Sequence, residues 1–199
     1  LSGAINKDEG EIYIDGKLVD IETPGDSFAN KIAMIYQELN LVSYLTVVEN
    51  ITLGHETSQY GFIKKKDAFK YMRDIFDQYG IDIDLNAMVG SLSVAKQQLL
   101  EIVKAISFDA KIIVMDEPTS SLTLPEVSHL FKIIKALSQK GVTIIYISHR
   151  FDEIFEIGDY VSVMRDGEFV GDYKLSEVSR GELIKKMVGR EITQMFPKP

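Results

Sequence analysis

The residues able to do chemistry stand at the ends of short apolar runs. Ile112-Ile113-Val114-Met115 runs straight into Asp116 and Glu117, and Pro118-Thr119-Ser120-Ser121 follows as loop. An unbroken apolar run of this length reads as a strand buried on both faces, as in a parallel sheet, and ligands bind at the carboxyl edge of such a sheet. Side chains alternate along a strand, so the two carboxylates can serve different partners. The plainer alternative is a strand ending in solvated acids. A second run, Val142 to Ile147, reads as another fully buried strand and ends at Ser148-His149, and a third, Ile32 to Tyr36, ends at Gln37. Ser93 opens a helical stretch, where a hydroxyl and free amide groups favour an anion; an ordinary helix cap would carry the same residue.

These positions need elements to hold them. Between Glu117 and His149, Thr123-Leu124-Pro125-Glu126 is a capping-box pattern, and Val127, Leu130, Phe131, Ile134 and Leu137 recur at helical spacing up to Gly141. A strand, a helix and a strand in succession make a βαβ unit, so the two strands are expected to be parallel and to bring Asp116, Glu117 and His149 to one edge. From 39 to 107 the pattern is helical. Thr46-Val47-Val48-Glu49 boxes a short helix through Leu53, and Phe69, Met72, Ile75, Phe76 and Tyr79 form the apolar face of a second that Gly80 stops. Val94, Ala95, Leu99, Ile102, Val103 and Ile106 mark the core face of a third, whose other face carries Lys96, Gln97, Glu101 and Lys104. Asp15-Gly16 and Asp166-Gly167 are hairpin turn signals between alternating runs. Ser179-Arg180-Gly181-Glu182 caps a last helix through Val188. Leu1-Ser2-Gly3 reads as the end of a helix, and 189–199, with two prolines and no periodicity, as a linker. The expected class is α/β, with parallel core strands, antiparallel hairpins and an inserted helical subdomain.

The 199 residues allow one substantial core, and 45% hydrophobic with 26% charged residues is ordinary for a globular chain. A net charge of −8 disfavours broad contact with nucleic acid or anionic lipid. The absence of cysteine excludes disulfides and thiolate metal sites. No apolar run approaches the roughly 18 residues of a membrane span, so membrane association is expected only through a protein partner.

The motifs together carry a resemblance. Ile112-Ile113-Val114-Met115-Asp116-Glu117 resembles the second nucleotide-binding motif (Walker B) of the ATP-binding cassette (ABC) ATPases, and Leu92-Ser93-Val94-Ala95-Lys96-Gln97-Gln98 resembles their signature. Gln37 follows a strand as the Q-loop glutamine does, and His149 as the switch histidine does. The four stand in the family's order. The signature usually reads Leu-Ser-Gly-Gly-Gln; Val94-Ala95 in place of both glycines resembles the ATPase subunits of bacterial sugar importers of the ribose, galactose and xylose type. Gln37-Glu38-Leu39-Asn40-Leu41, Glu117-Pro118-Thr119-Ser120-Ser121-Leu122-Thr123 and Val188-Gly189-Arg190-Glu191 are similar to the same group. Two cassettes lie in tandem there, and this chain resembles the first. No Gly-x-x-x-x-Gly-Lys-Ser/Thr run occurs in it. The expectation is a partial P-loop NTPase-like domain over 1–188 that begins downstream of that motif and binds nucleotide weakly or not at all alone.

The resemblance implies MgATP as substrate and metal. Asp116 would hold Mg²⁺, with Gln37 reaching the metal or the attacking water, and Glu117 would be the general base. His149 would hydrogen-bond the γ-phosphate, while Ser93, Val94 and Ala95 would meet the nucleotide of an opposite cassette. Thr123 stands where the family often has aspartate, and helix capping alone explains it. His55 and His129 have no such context. Implied partners are membrane permease subunits, with Tyr44, Leu45 and Val47 as candidate contacts, a second cassette, and indirectly a sugar-binding protein. No nucleic-acid partner is implied, and the implied place is the cytoplasmic face of the membrane. The other readings are a non-hydrolysing regulatory cassette and a soluble ABC ATPase acting on nucleic acid or ribosomes.

Overall fold

The run that ends in Asp116 and Glu117 forms the middle strand of a parallel sheet. The computed structural model describes residues 1–53 and 65–188. His55 and the 189–199 segment, including Gly189-Arg190-Glu191, lie outside the described residues. The chain divides into two compact units, 1–147 and 148–199.

The first unit opens with a hairpin, β1 (Ile12–Ile14) and β2 (Lys17–Val19), paired Ile12 to Val19. Its turn is Asp15-Gly16, both at positive φ (50° and 73°), which the tight two-residue connection requires and glycine accepts freely. A short helix, α1 (Pro24–Ala29), follows, and then β3 (Ile32–Ile35). The helical stretch contains α2 (Val47–Thr52), α3 (Lys65–Tyr79), a 3-10 turn over Val89–Ser91, and α4 (Val94–Ser107). β4 (Ile112–Asp116), α5 (Leu124–Gln139) and β5 (Thr143–Ile147) complete the unit.

β3, β4 and β5 form one sheet in that order, parallel throughout, so the βαβ expectation holds. Ile112, Val114 and Asp116 pair with Thr143, Ile145 and Ile147 and share their face. On that face Ile32, Met34, Ile112 and Val114 pack with Ile12, Ile14 and Val19 of the hairpin and with Ile21. On the other face Ile113 and Met115 are fully buried, and Tyr146 of β5 meets Phe131 of α5 edge-on, with ring centroids 6.3 Å apart.

The expectation that β5 is buried on both faces is corrected. Ile145 and Ile147 are 37% and 46% exposed. The hairpin cluster covers β3 and β4 and includes no residue of β5, so the outermost strand keeps one apolar face open. β3 ends at Ile35, one residue short of the expected Tyr36. Leu1 and Ser2 are not helical, although Gly3 does take a left-handed φ of 70°. There the backbone lies so close to the Thr23 carbonyl that an added Cβ would stand 2.1 Å from its oxygen.

Capping follows the sequence closely. Thr46 and Glu49 cap α2 reciprocally, and Glu126 accepts the Thr123 N–H at 2.8 Å at the head of α5. α1 was not anticipated; Thr23 and Asp26 form the same reciprocal box at its head.

The second unit holds α6 (Phe151–Ile157), also unanticipated, then an antiparallel hairpin of β6 (Tyr160–Arg165) and β7 (Glu168–Lys174), then α7 (Arg180–Val188). Val163, Leu175 and Leu183 are its buried centre, and Phe151, Ile154 and Phe155 of α6 pack on them. Ser179 and Glu182 box the start of α7 as expected.

Candidate functional site

The carboxyl ends of β3 and β4 open into a cleft of about 480 Å³ lined by Tyr36, Gln37, Glu38, Asn40 and Asp116. The two strands pair Ile35 with Met115, so Gln37 and Asp116 follow paired positions. Parallel register sets the two strand ends side by side, and Gln37 and Asp116 both line the cavity just beyond them.

Glu117 sits on a corner. Its φ is 44°, a left-handed value uncommon for a residue with a side chain. The corner is held from both sides. Glu117 N–H donates to the Ile147 carbonyl at 2.9 Å, extending the β4–β5 ladder by one bond, and its own carbonyl accepts Ser120 N–H at 3.2 Å. Thr119 is buried just beyond. The side chain is half-buried, at the rim where the strand meets the loop to α5.

Ser93 is the N-cap of α4, and its hydroxyl accepts Lys96 N–H at 3.3 Å. Ala95 is buried. Val94 is corrected: it was assigned to the core face, yet it is 47% exposed in the first turn. The other face of α4 is corrected too, because Glu101 is 8% exposed. The helix packs against α2, α3 and β3, so neighbours on several sides seal positions that a single amphipathic stripe would leave wet. Burial raises the Glu101 pKa, while nearby Lys104 and the Asn40 N–H hold it down.

Two amides matter that sequence reasoning passed over. Asn50 on α2 is buried. Its Oδ1 accepts Val42 N–H at 2.8 Å, and its Nδ2 donates to the carbonyls of Val42 at 2.9 Å and Thr46 at 3.2 Å. One side chain thus fixes the loop that follows the cleft. Gln98 on α4 is 4% exposed, and its Nε2 is a buried donor without a partner among the described residues. A polar residue inside an apolar helix pattern was the available signal for both.

His149 is exposed and follows β5, with Ser148 between, at the head of the second unit. Its chain neighbours are held by a buried acid of α6. Glu153 pairs with the Arg150 guanidinium at 2.6 Å and accepts the Ser148 hydroxyl at 3.2 Å, and Ser148 Oγ accepts Arg150 N–H at 3.0 Å. His129, which the sequence left without a role, contacts the Tyr79 carbonyl at 3.0 Å and joins α5 to the end of α3. Of the three candidate partner contacts, Val47 is fully buried, Leu45 is half-buried and Tyr44 is exposed.

Among the described residues no three His, Asp or Glu side chains gather to hold a metal. A cleft lined by the carboxylates of Glu38 and Asp116 and the amides of Gln37 and Asn40 suits Mg²⁺, which takes one or two protein oxygens and fills its octahedron with substrate phosphates and water. Among the described residues, too, no helix is long and apolar enough to cross a membrane.

Comparison with known proteins bears on this geometry. The family model described as ABC transporter matches residues 1–120. The chain is 46% identical over 199 residues to a putative ribose/galactose/methyl galactoside import ATP-binding protein of Agrobacterium fabrum, covering 100% of this chain and 39% of that protein. It is 45% identical over 197 residues to a galactose/methyl galactoside import ATP-binding protein of Pasteurella multocida, covering 99% and 39%. The chain therefore spans about two fifths of the length of the curated relatives it matches. The fold is similar to the ADP conformation of an ATP-binding cassette of an ABC transporter, with a TM-score of 0.77 at 23% identity over 95% of this chain and 80% of that one. It is also similar to a dimeric cassette in a post-hydrolysis state bound to ADP and phosphate, with a TM-score of 0.72 at 22% identity over 87% and 77%.

Proposed function

The chain belongs to the ABC transporter family, and from that premise we propose that it is part of an ATP-hydrolysing cassette in a bacterial sugar importer. The observation that carries the reading is the cleft in which Gln37 and Asp116 meet at the carboxyl edge of the sheet, with Glu117 on the adjoining corner.

Asp116 and Gln37 would hold Mg²⁺ through oxygen ligands, and the ion would supply neutralisation of charge on the phosphates. Glu117 accepts a proton from water as its oxygen attacks the γ-phosphorus in line. The bond from that phosphorus to the bridging oxygen breaks, ADP leaves, and no covalent intermediate with the protein forms. The left-handed corner, locked by the Ile147 carbonyl, keeps the Glu117 backbone from moving as its side chain takes the proton. His149 donates to the γ-phosphate and keeps the water in register with Glu117. Ser93 and the first-turn amides of α4, at Val94 and Ala95, offer a hydroxyl and a helix N-terminus to the γ-phosphate held by an opposing cassette.

The partners in this reading are membrane permease subunits, a second cassette and, indirectly, a sugar-binding protein. The protein works at the cytoplasmic face of the membrane, and nucleic acid has no part.

Calorimetry of the full-length protein tests the assignment. MgATP is expected to bind, and Glu117→Gln to trap it with little turnover. Absence of MgATP binding would sink the reading. Undiminished hydrolysis by Glu117→Gln would remove Glu117 from its role, and binding without turnover in the unaltered protein would make this a regulatory cassette.

A further inference from the structure

A buried carboxylate on α4 holds the chain beside the cleft. Glu101 stands eight residues beyond the Ser93 cap, about 12 Å along one rigid helix. It is not among the residues lining the cleft. Its Oε1 accepts the backbone N–H of Asn40 at 2.9 Å, and Asn40 does line the cleft, with Gln37 and Asp116. An ionisable group is costly to bury, and an apolar side chain would fill this place on α4 at less cost to folding. The charge is set against a backbone donor, the strong class of hydrogen bond. Downstream the same segment is anchored again, because Asn50 holds both the N–H and the carbonyl of Val42. The backbone from Asn40 to Thr46 is therefore tied to two buried polar side chains, and Gln37 stands just before the first tie.

We propose that Glu101 is a positioning residue: its carboxylate, carried on the helix that Ser93 caps, clamps the Asn40 backbone and so sets where the Gln37 side chain stands beside Asp116. The proposal rests on the reading that Gln37 and Asp116 serve MgATP. It gives α4 two jobs on one rigid body. Any displacement of the capped end carries Glu101 with it, and Asn40 follows.

The test compares Glu101→Gln, which keeps an acceptor oxygen, with Glu101→Leu, which keeps bulk and removes the acceptor, in the full-length protein. Hydrogen exchange over 38–46 and the kcat and KM of MgATP hydrolysis are both measured. Glu101→Leu is expected to speed exchange in that segment and lower kcat, each by about tenfold, with KM changed less than about twofold, as for loss of one charge-assisted bond acting on geometry. Glu101→Gln is expected to restore both to within about threefold. If Glu101→Leu does not fold, Glu101→Met carries the same comparison. Unchanged exchange in the apolar variant, or a glutamine variant as impaired as leucine, overturns the proposal. Faster exchange with unchanged turnover also overturns it. A parallel Gln37→Ala then locates the fault: if that variant also hydrolyses normally, the reading of the cleft has failed, and if it is impaired, only the clamp has.

Discussion

β4 and β5 lie side by side, have the same length, and are both mostly apolar, yet they occupy different environments. β4 is closed on both faces, by the hairpin on one and with Ile113 and Met115 fully buried on the other. β5 is closed only where Ile144 and Tyr146 face α5, and it leaves Ile145 and Ile147 in solvent. Their ends differ in kind as well. β4 turns a left-handed corner at Glu117 that is bonded into the neighbouring strand, whereas β5 leads into a segment where the Glu153 side chain bonds Ser148 and Arg150 on either side of His149. An apolar run reports that a strand will form; how many of its faces are covered is decided by elements far away in sequence.

The contrast is open to experiment, beginning with the largest effect. Glu117→Gln is expected to lower the kcat of the full-length protein by about 10³-fold with ATP binding retained, as for removal of a general base. At the other end, Glu153→Leu is expected to cost only about tenfold, because it loosens the segment around His149 and leaves the imidazole in place. Equal losses in single-turnover assays would mean that the two ends are equally constrained. In the strands, Ile113→Ala is expected to lower the unfolding free energy by about 3 kcal/mol and Ile145→Ala by less than about 1 kcal/mol, measured by urea denaturation. Similar values would show that the outer face of β5 is covered in solution.

Acid separates the regions more gently. Hydrogen bonds from the Thr123 N–H and side chain hold the Glu126 carboxyl below its ordinary value, and equivalent boxes at Thr23 and Ser179 lower Asp26 and Glu182. A lowered carboxylate contributes stability that is fully present above its unfolded pKa, near 4.5 for Glu, and is lost as pH falls through the lowered folded value. Glu101 has the opposite sign, so its burial weakens the fold as pH rises through its raised pKa. Thr123→Ala should therefore flatten the acid limb of a melting-temperature profile and, near neutral pH, cost about 1 kcal/mol. Glu101→Gln should flatten the limb just above it. Smallest of all, Ile147→Thr is expected to change stability by under about 0.5 kcal/mol, the range of an exposed substitution.

Local signals were legible in the sequence and crowded ones were not. The caps at Thr46, Thr123 and Ser179 each need only residues three apart, and all formed as read. The parallel pairing of β4 and β5 followed from a helix-length connection, which leaves the chain little choice of direction. The burial of Glu101 and the exposure of Val94 were not readable from the period of α4, because that helix is packed on several sides and the period reports only one. Asn50 looked like any polar residue in a short helix; its four hydrogen bonds go to backbone that only the folded loop delivers. Of the candidate site, Gln37 and Asp116 each stood at a readable strand end, but only the family resemblance joined them, and the polar residues that hold the surrounding loops were not readable.

The corner at Glu117 also limits which replacements the chain can survive. At φ 44° a β-branched side chain would clash with its own backbone whatever chemistry it offered, while asparagine, aspartate and glycine fit that region most easily. Single changes that silence this position and still leave a folded protein therefore run toward small or unbranched polar residues. A descendant that has lost hydrolysis here would be expected to show Asn, Asp, Gly or Gln at 117, with Val, Ile and Thr filtered out by the backbone first.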